Sequence, residues 1–356
     1  MSETTRSSAA CFHGSQYLLP LEVRVLLEGL LDDGRKALEV DPDELVQARH
    51  WRSLVVEALR AEFPNSRIYY TGSVAHGDAN TPLKDVDLGI VVAGAPEYGP
   101  EGLGPEMLME RARDTIKKHL PEEEFPELVV IVKGRHRSVL VRFGKPVAEG
   151  GENLTADVIV AIDHPSGRGI YIPDLDSADK WEHVDPEAHT RMILQAIEDT
   201  DKVFARTVRL LKHWRDRHSD PMCSWNIKAL ALGCLDRPMT LVDALETFFV
   251  HAATEIADHL TEDPAGVAEE PIRLNIDQAD AAHRLSVARD EVKEAREHEQ
   301  AGRQASAQHV LHRLLPDVVP DSALAEQMEE EAGRYKAAIP LSRTGTPTPT
   351  RAWAAQ

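Results

Sequence analysis

The apolar positions of this chain change rhythm along its length, and the rhythm predicts a mixed α/β half followed by a helical half. Between residues 18 and 38, Leu21, Val25, Leu27, Leu30 and Leu31 recur at helical spacing, until Gly34 and the Asp41-Pro42 pair interrupt the run. Asp41 or Asp43 can cap a second helix through Leu45, Ala48, Leu54, Val55 and Leu59, which Pro64 and Asn65 stop. Residues 67–71 are short, β-branched and aromatic, and predict a strand. Residues 86–92, 128–133, 138–143 and 156–162 predict four more, with an amphipathic helix over 107–120. Beyond Pro173 helical patterns dominate, at about 186–217, 224–235, 240–260 and 277–314, the last carrying Leu285, Ala288, Val292 and Ala295 in a 3-4-3 spacing.

These elements predict an α/β fold with a mixed sheet, long N-terminal helices and a C-terminal helical domain. The expected organisation is a disordered stretch over 1–17, a core with helical lead-in over 18–175, a helical domain over 176–320, and a segment over 321–356 ending in a Thr/Pro-rich disordered tail. A chain of 356 residues is long enough for this division.

Charge and cysteine content narrow the function. A formal net charge of −20 disfavours broad nucleic-acid binding, whose affinity comes mainly from basic groups that neutralise phosphates. Cys11, Cys223 and Cys234 form no CxxC pair, so neither a disulfide framework nor a structural zinc site is expected. No stretch approaches the ~20 apolar residues of a membrane span, and the first ten residues lack the pattern of a secretory signal. The expected location is the cytoplasm.

The chemistry concentrates in Thr71-Gly72-Ser73-Val74-Ala75-His76-Gly77 and Asp85-Val86-Asp87-Leu88-Gly89. Carboxylates at i and i+2 of a strand point to one face, so Asp85 and Asp87 can reach hard cations bound at one place. Magnesium is commonly held by one or two carboxylates together with water and substrate phosphate oxygens. Gly72 and Ser73, between a strand end and a helical turn, suit close backbone approach to a phosphate chain. A third carboxylate is expected from a neighbouring strand. Asp157 is the best placed, where it could also help deprotonate an acceptor hydroxyl, and Asp163 is the alternative. A lone Gly-Ser or a lone Asp-x-Asp is usually a turn or a solvated acidic pair; their combination is much sharper.

Gly72-Ser73, Asp85-x-Asp87 and Asp157 together resemble the signature of the polymerase-β-type nucleotidyltransferase superfamily. Within it the chain is similar to the bacterial relatives of cyclic-GMP-AMP synthase, the cGAS/DncV-like nucleotidyltransferases. The further matches are His164-Pro165, Ile170-Tyr171-Ile172-Pro173-Asp174, Trp181, Asp185-Pro186-Glu187-Ala188-His189, Val208-Arg209-Leu210-Leu211-Lys212-His213-Trp214, Cys223-Ser224-Trp225-Asn226-Ile227-Lys228, and the segment from Leu311 to Pro320. The resemblance covers about residues 20 to 320. It implies a Mg²⁺-dependent enzyme, with Mn²⁺ able to substitute, that makes a cyclic di- or trinucleotide from nucleoside triphosphates, ATP and GTP first among them. It also implies a diffusible product that activates a separate effector in anti-phage signalling.

By the same resemblance Lys212 and Ser224 would contact the donor triphosphate. An ammonium on an exposed helix face would suit that role, although Lys212 can equally be an ordinary surface lysine, and Ser224 can serve as a helix N-cap. His76 is either a phosphate contact or incidental. The chain has no Cys/His insertion like that with which the animal DNA sensor holds DNA, so activation by nucleic acid is not expected. Two other readings stay open. One keeps the fold with an RNA 3′-end, an antibiotic or a protein side chain as acceptor; the other is a non-catalytic nucleotide sensor, against which the three retained carboxylates count.

Overall fold

The computed structural model describes residues 26–338. The disorder expected over 1–17, the start of the first helix and the Thr/Pro-rich tail lie outside these residues. Helix α1 (Leu26–Ala37) runs through Gly34, whose missing side chain makes room for Val318: a Cβ there would meet the Val318 carbonyl at 3.2 Å. Helix α2 (Pro42–Glu62) is capped by Asp41, whose carboxylate accepts from the Asp43 amide.

A seven-stranded sheet follows. Strand β1 (Arg67–Thr71) leads into the one-turn helix α3 (Gly72–His76), and β2 (Asp85–Val92) into α4 (Gly104–His119). Strands β3 (Val129–Ile131), β4 (Val139–Pro146) and β5 (Asn153–Asp163) complete the row β1-β2-β5-β4-β3. Among the described strands only β2 and β5 run parallel; every other pair is antiparallel, so the sheet is mixed as expected.

Strands β6 (Ile170–Pro173) and β7 (Trp181–Val184) extend the end of β5. The sequence did not announce them. At four residues each they show little period, and their pairing is tertiary: β6 pairs with the end of β5, and β7 with β6 alone.

The helical half comprises α5 (Pro186–Asp199), α6 (Val203–Arg217), α7 (Ser224–Leu232), α8 (Leu241–Asp258), α9 (Gln278–Gln300), α10 (Gln304–Leu314) and α11 (Ala323–Ala338). Two predicted runs are each split in two. Asp201 and Lys202, both with positive φ, separate α5 from α6, and Gly302 separates α9 from α10. Among the described residues no helix is long and apolar enough to cross a membrane.

The core falls into two main clusters. One lies between the sheet and α2 and α4, and takes Val86, Leu88, Ile90 and Val92 from alternate positions of β2. The other fills the helical half and draws Leu27 and Leu31 from α1. Glu28 of α1 also accepts from the Leu241 and Val242 amides at 3.0 and 3.1 Å, which caps α8 from another helix. The alternate face of β2 carries Asp85 and Asp87 at its start, while Val91 further along it joins a third, smaller cluster with Tyr69, Ala161, Ile170 and Ile172.

Candidate active site

Register decides which carboxylates meet. Asp87 of β2 lies directly opposite Asp157 of β5, and Asp85 is opposite Thr155. Paired strands are about 4.8 Å apart and alternate residues about 7 Å apart along a strand, so Asp85, Asp87 and Asp157 occupy neighbouring positions on one face. Asp163 lies six residues further along β5, roughly 20 Å away, where Arg67 binds it at 3.1 Å. The structure therefore groups the first three and sets Asp163 apart.

Gly72 presses its backbone onto this face. Its φ is +76°, and a Cβ would fall 1.7 Å from Asp87 Oδ2. Only glycine tolerates both the left-handed conformation and the approach. Ser73 follows in the first turn of α3, where its carbonyl accepts from the Gly77 and Asp78 amides.

Burial raises the Asp87 carboxyl to about 7, aided by the like charges of Asp85 and Asp157. Asp85 retains solvent access, yet it is raised too, first by desolvation, with Lys212 opposing and Asp157 adding to the shift. Such a set of hard oxygen donors is of the kind that divalent cations take. Among the described residues, no three or more His, Cys, Asp or Glu side chains are gathered into a ready-made cage.

Lys212 departs from its expected setting. It is buried rather than exposed, because eleven of the fifteen α6 residues are enclosed. Its Nζ donates to the Asp78 carbonyl at 3.0 Å and lies 3.4 Å from Asp78 Oδ1. Desolvation lowers its pKa, and Asp78 opposes the shift. One turn earlier, Arg209 donates to the carbonyls of Gly77 and Ala79 at 3.0 and 3.3 Å. Two residues of α6 thus hold three successive carbonyls of the loop that leaves α3.

Asp78, wholly buried, is shared by a second ammonium: Lys228 of α7 lies 2.8 Å from its other oxygen. Lys228 also donates to His76 Nδ1 at 2.9 Å, and His76 Nε2 is 3.1 Å from Thr190 Oγ1 of α5. This pairing fits a neutral imidazole protonated at Nε2, and burial pushes His76 down to about 3, with Lys228 adding to the shift. His76 is therefore a structural contact beneath the Gly-Ser turn rather than a surface group.

Ser224 is the first residue of α7, and the cap is Cys223, whose sulfur accepts from the Asn226 amide. The Ser224 hydroxyl accepts from Arg215 Nη1 at 2.5 Å. The N-cap role that its sequence position allowed thus falls one residue earlier.

Sequence reasoning overlooked Asp78, Arg209 and Lys228 as parts of the site. Arg209 and Lys212 at i and i+3 of one helix were the available signal, but no local pattern pairs them with residues about 130 positions away.

No family model matches the chain, and no curated protein matches it by sequence. Solved structures do match in fold. The Bradyrhizobium diazoefficiens CD-NTase CdnG, solved in complex with GTP, has a TM-score of 0.60 at 15% identity, covering 86% of this chain and 99% of that one. CdnC from E. coli, in complex with a HORMA protein, has a TM-score of 0.59 at 16% identity, covering 83% and 98%. The Vibrio cholerae cyclic AMP-GMP synthase DncV, a prokaryotic cGAS homolog, has a TM-score of 0.54 at 17% identity, covering 85% and 89%. DncV has also been solved with the linear intermediate pppA(3′,5′)pG. The expected fold is thus present across both halves of the chain, at identities that speak for architecture alone.

Proposed function

We propose that this chain is a nucleotidyltransferase that joins nucleoside triphosphates into a cyclic di- or trinucleotide. The observation that carries the reading is the convergence of Asp85, Asp87 and Asp157 on one sheet face beneath the Gly72 backbone. That CdnG and DncV share the fold, one solved with GTP and the other a cyclic AMP-GMP synthase, supports nucleoside triphosphates, ATP and GTP first, as substrates.

Asp85, Asp87 and Asp157 would hold Mg²⁺, with Mn²⁺ able to substitute. When bound, such ions ease deprotonation of the attacking hydroxyl and stabilise the departing pyrophosphate. The chain's own residues do the positioning. Gly72 admits the triphosphate close to the backbone, and Ser73 offers a hydroxyl and an amide at the turn. Lys212 and Lys228 place positive charge behind the carboxylates, while Ser224 and Arg215 mark the mouth of α7 where donor phosphates can be bound. In each transfer a ribose hydroxyl oxygen bonds to an α-phosphorus, the bond to pyrophosphate breaks, and the hydroxyl proton passes to water. A final transfer within the linear product closes the ring.

The net charge of −20 favours an enzyme that works without a nucleic-acid activator. A cyclic product would diffuse in the cytoplasm to a separate effector, as an anti-phage signal does.

The test is incubation of the purified protein with each labelled nucleoside triphosphate and with all four, under Mg²⁺ and under Mn²⁺, followed by phosphatase. Resistant label that disappears in Asp85→Asn/Asp87→Asn is expected. Its absence under both metals overturns the cyclisation.

A further inference from the structure

Asp157 differs from its two companions in having neutralising partners of its own. Its Oδ1 accepts from Arg135 Nη2 at 2.5 Å and from the Ser138 hydroxyl at 2.7 Å. Arg135 also donates to the Ser138 oxygen at 3.0 Å, so the serine accepts from the arginine and spends its single proton on the aspartate. Both hydrogen bonds that Asp157 accepts among the described residues therefore end on one oxygen. Its other oxygen is left for the face it shares with Asp87.

These two partners are themselves held. Ser138 is 6% exposed and immediately precedes β4, the strand that pairs with β5 beside Asp157. Arg135 closes a turn in which its amide donates to the Val132 carbonyl at 2.9 Å, with Gly134 at positive φ. The turn is tied to β7 and the segment before it: the Leu175 amide donates to the His136 carbonyl at 3.1 Å, and Arg137 pairs with Glu182 of β7 at 2.8 Å. A short, well-anchored turn thus delivers a guanidinium and a hydroxyl to one carboxylate oxygen.

We propose that Arg135 and Ser138 are positioning residues that fix Asp157 as a one-oxygen ligand for a divalent cation. Partners that orient a ligating side chain typically alter metal affinity by about ten- to hundredfold when removed. The inference rests on the reading of Asp157 as a metal ligand. The same contacts have an opposite reading, in which the guanidinium occupies the cation's place and must be expelled. The two readings differ in the sign of one measurable quantity.

That quantity is Mn²⁺ affinity of the full chain, read from free Mn²⁺ by electron paramagnetic resonance, alone and with α,β-methylene-ATP, which cannot be transferred. Ser138→Ala and Arg135→Gln are compared with wild type and Asp157→Asn, each first checked for cooperative thermal unfolding. Both variants are expected to bind Mn²⁺ about tenfold or more weakly than wild type, and Asp157→Asn weaker still. If Arg135→Gln fails to fold, Ser138→Ala alone decides. Unchanged or tighter binding in the folded variants, while wild type binds and Asp157→Asn does not, overturns this inference and leaves the nucleotidyltransferase reading intact. Absence of Mn²⁺ binding by wild type, with and without the nucleotide analogue, overturns both.

Discussion

At Gly89 the sheet has no room for a side chain. Tyr69 pairs with it across β1 and β2 and lays its ring over the glycine, so that a Cβ would come within 2.0 Å of the ring carbon Cζ. Gly89→Ala is therefore expected to cost about 1–3 kcal/mol through overpacking, read as a lower urea midpoint at unchanged slope. Asp87 makes a pH-dependent prediction. Its carboxyl is ordinarily near 3.8 and lies near 7 in the fold, so between those values the folded chain keeps a proton that the unfolded chain has lost. Stability then falls as pH rises through that window, by at most about 1.4 kcal/mol per unit. His76 has the opposite sign, because its depressed pKa means that stability is lost as pH falls below 6.5. Asp87→Asn keeps His76, which cancels in the comparison. The stability of the variant relative to wild type, measured by denaturation in chelator, is expected to grow from about pH 4 to 7; a flat difference would mean that Asp87 ionises normally.

Among the elements, α3 is a single turn of five residues tethered from three other helices. Arg209 and Lys212 of α6 and Lys228 of α7 hold the loop that follows it, and Thr190 of α5 meets His76 at its end. Asp78→Ala would strand two buried ammonium groups without their carboxylate, at a cost of about 3–5 kcal/mol in chemical denaturation. A loss below 1 kcal/mol would show that the lysines find other partners. The long elements were legible because their periods were long: α2 starts at its Asp-Pro signal, and strands β1 to β5 were all anticipated, with ends shifted by a few residues. The break between α5 and α6 was not legible, since no proline or glycine marks it. Asp201 and Lys202 adopt positive φ there, a conformation that tertiary packing must enforce.

For the molecule as a whole, stability should report on the proposed site. A cation that binds only the folded chain stabilises it by mass action, by about 2.7 kcal/mol at one hundred times its dissociation constant. Chelator-treated protein is expected to melt below protein in saturating Mg²⁺, and Asp87→Asn or Asp157→Asn to abolish most of that difference. An equal Mg²⁺ response in these variants would place the cation elsewhere.

The sequence by itself determined the mixed α/β order, the helical second half, and the candidacy of Gly72, Ser73, Asp85, Asp87 and Asp157. These features depend on period, on turn chemistry and on residues close together in the chain, all of which are local. It also ranked Asp157 above Asp163, and strand register gives that preference a geometric basis by setting Asp157 opposite Asp87. Only the tertiary structure decided the surroundings of Lys212, which the resemblance had marked without its setting. An amphipathic pattern cannot show that α6 is enclosed nearly all round, nor that Asp78 waits 134 residues away. The same holds for Arg135 and Ser138, whose partnership with Asp157 exists because β4 pairs beside β5. Local periodicity chooses elements; which charges share a buried space is chosen by how those elements pack.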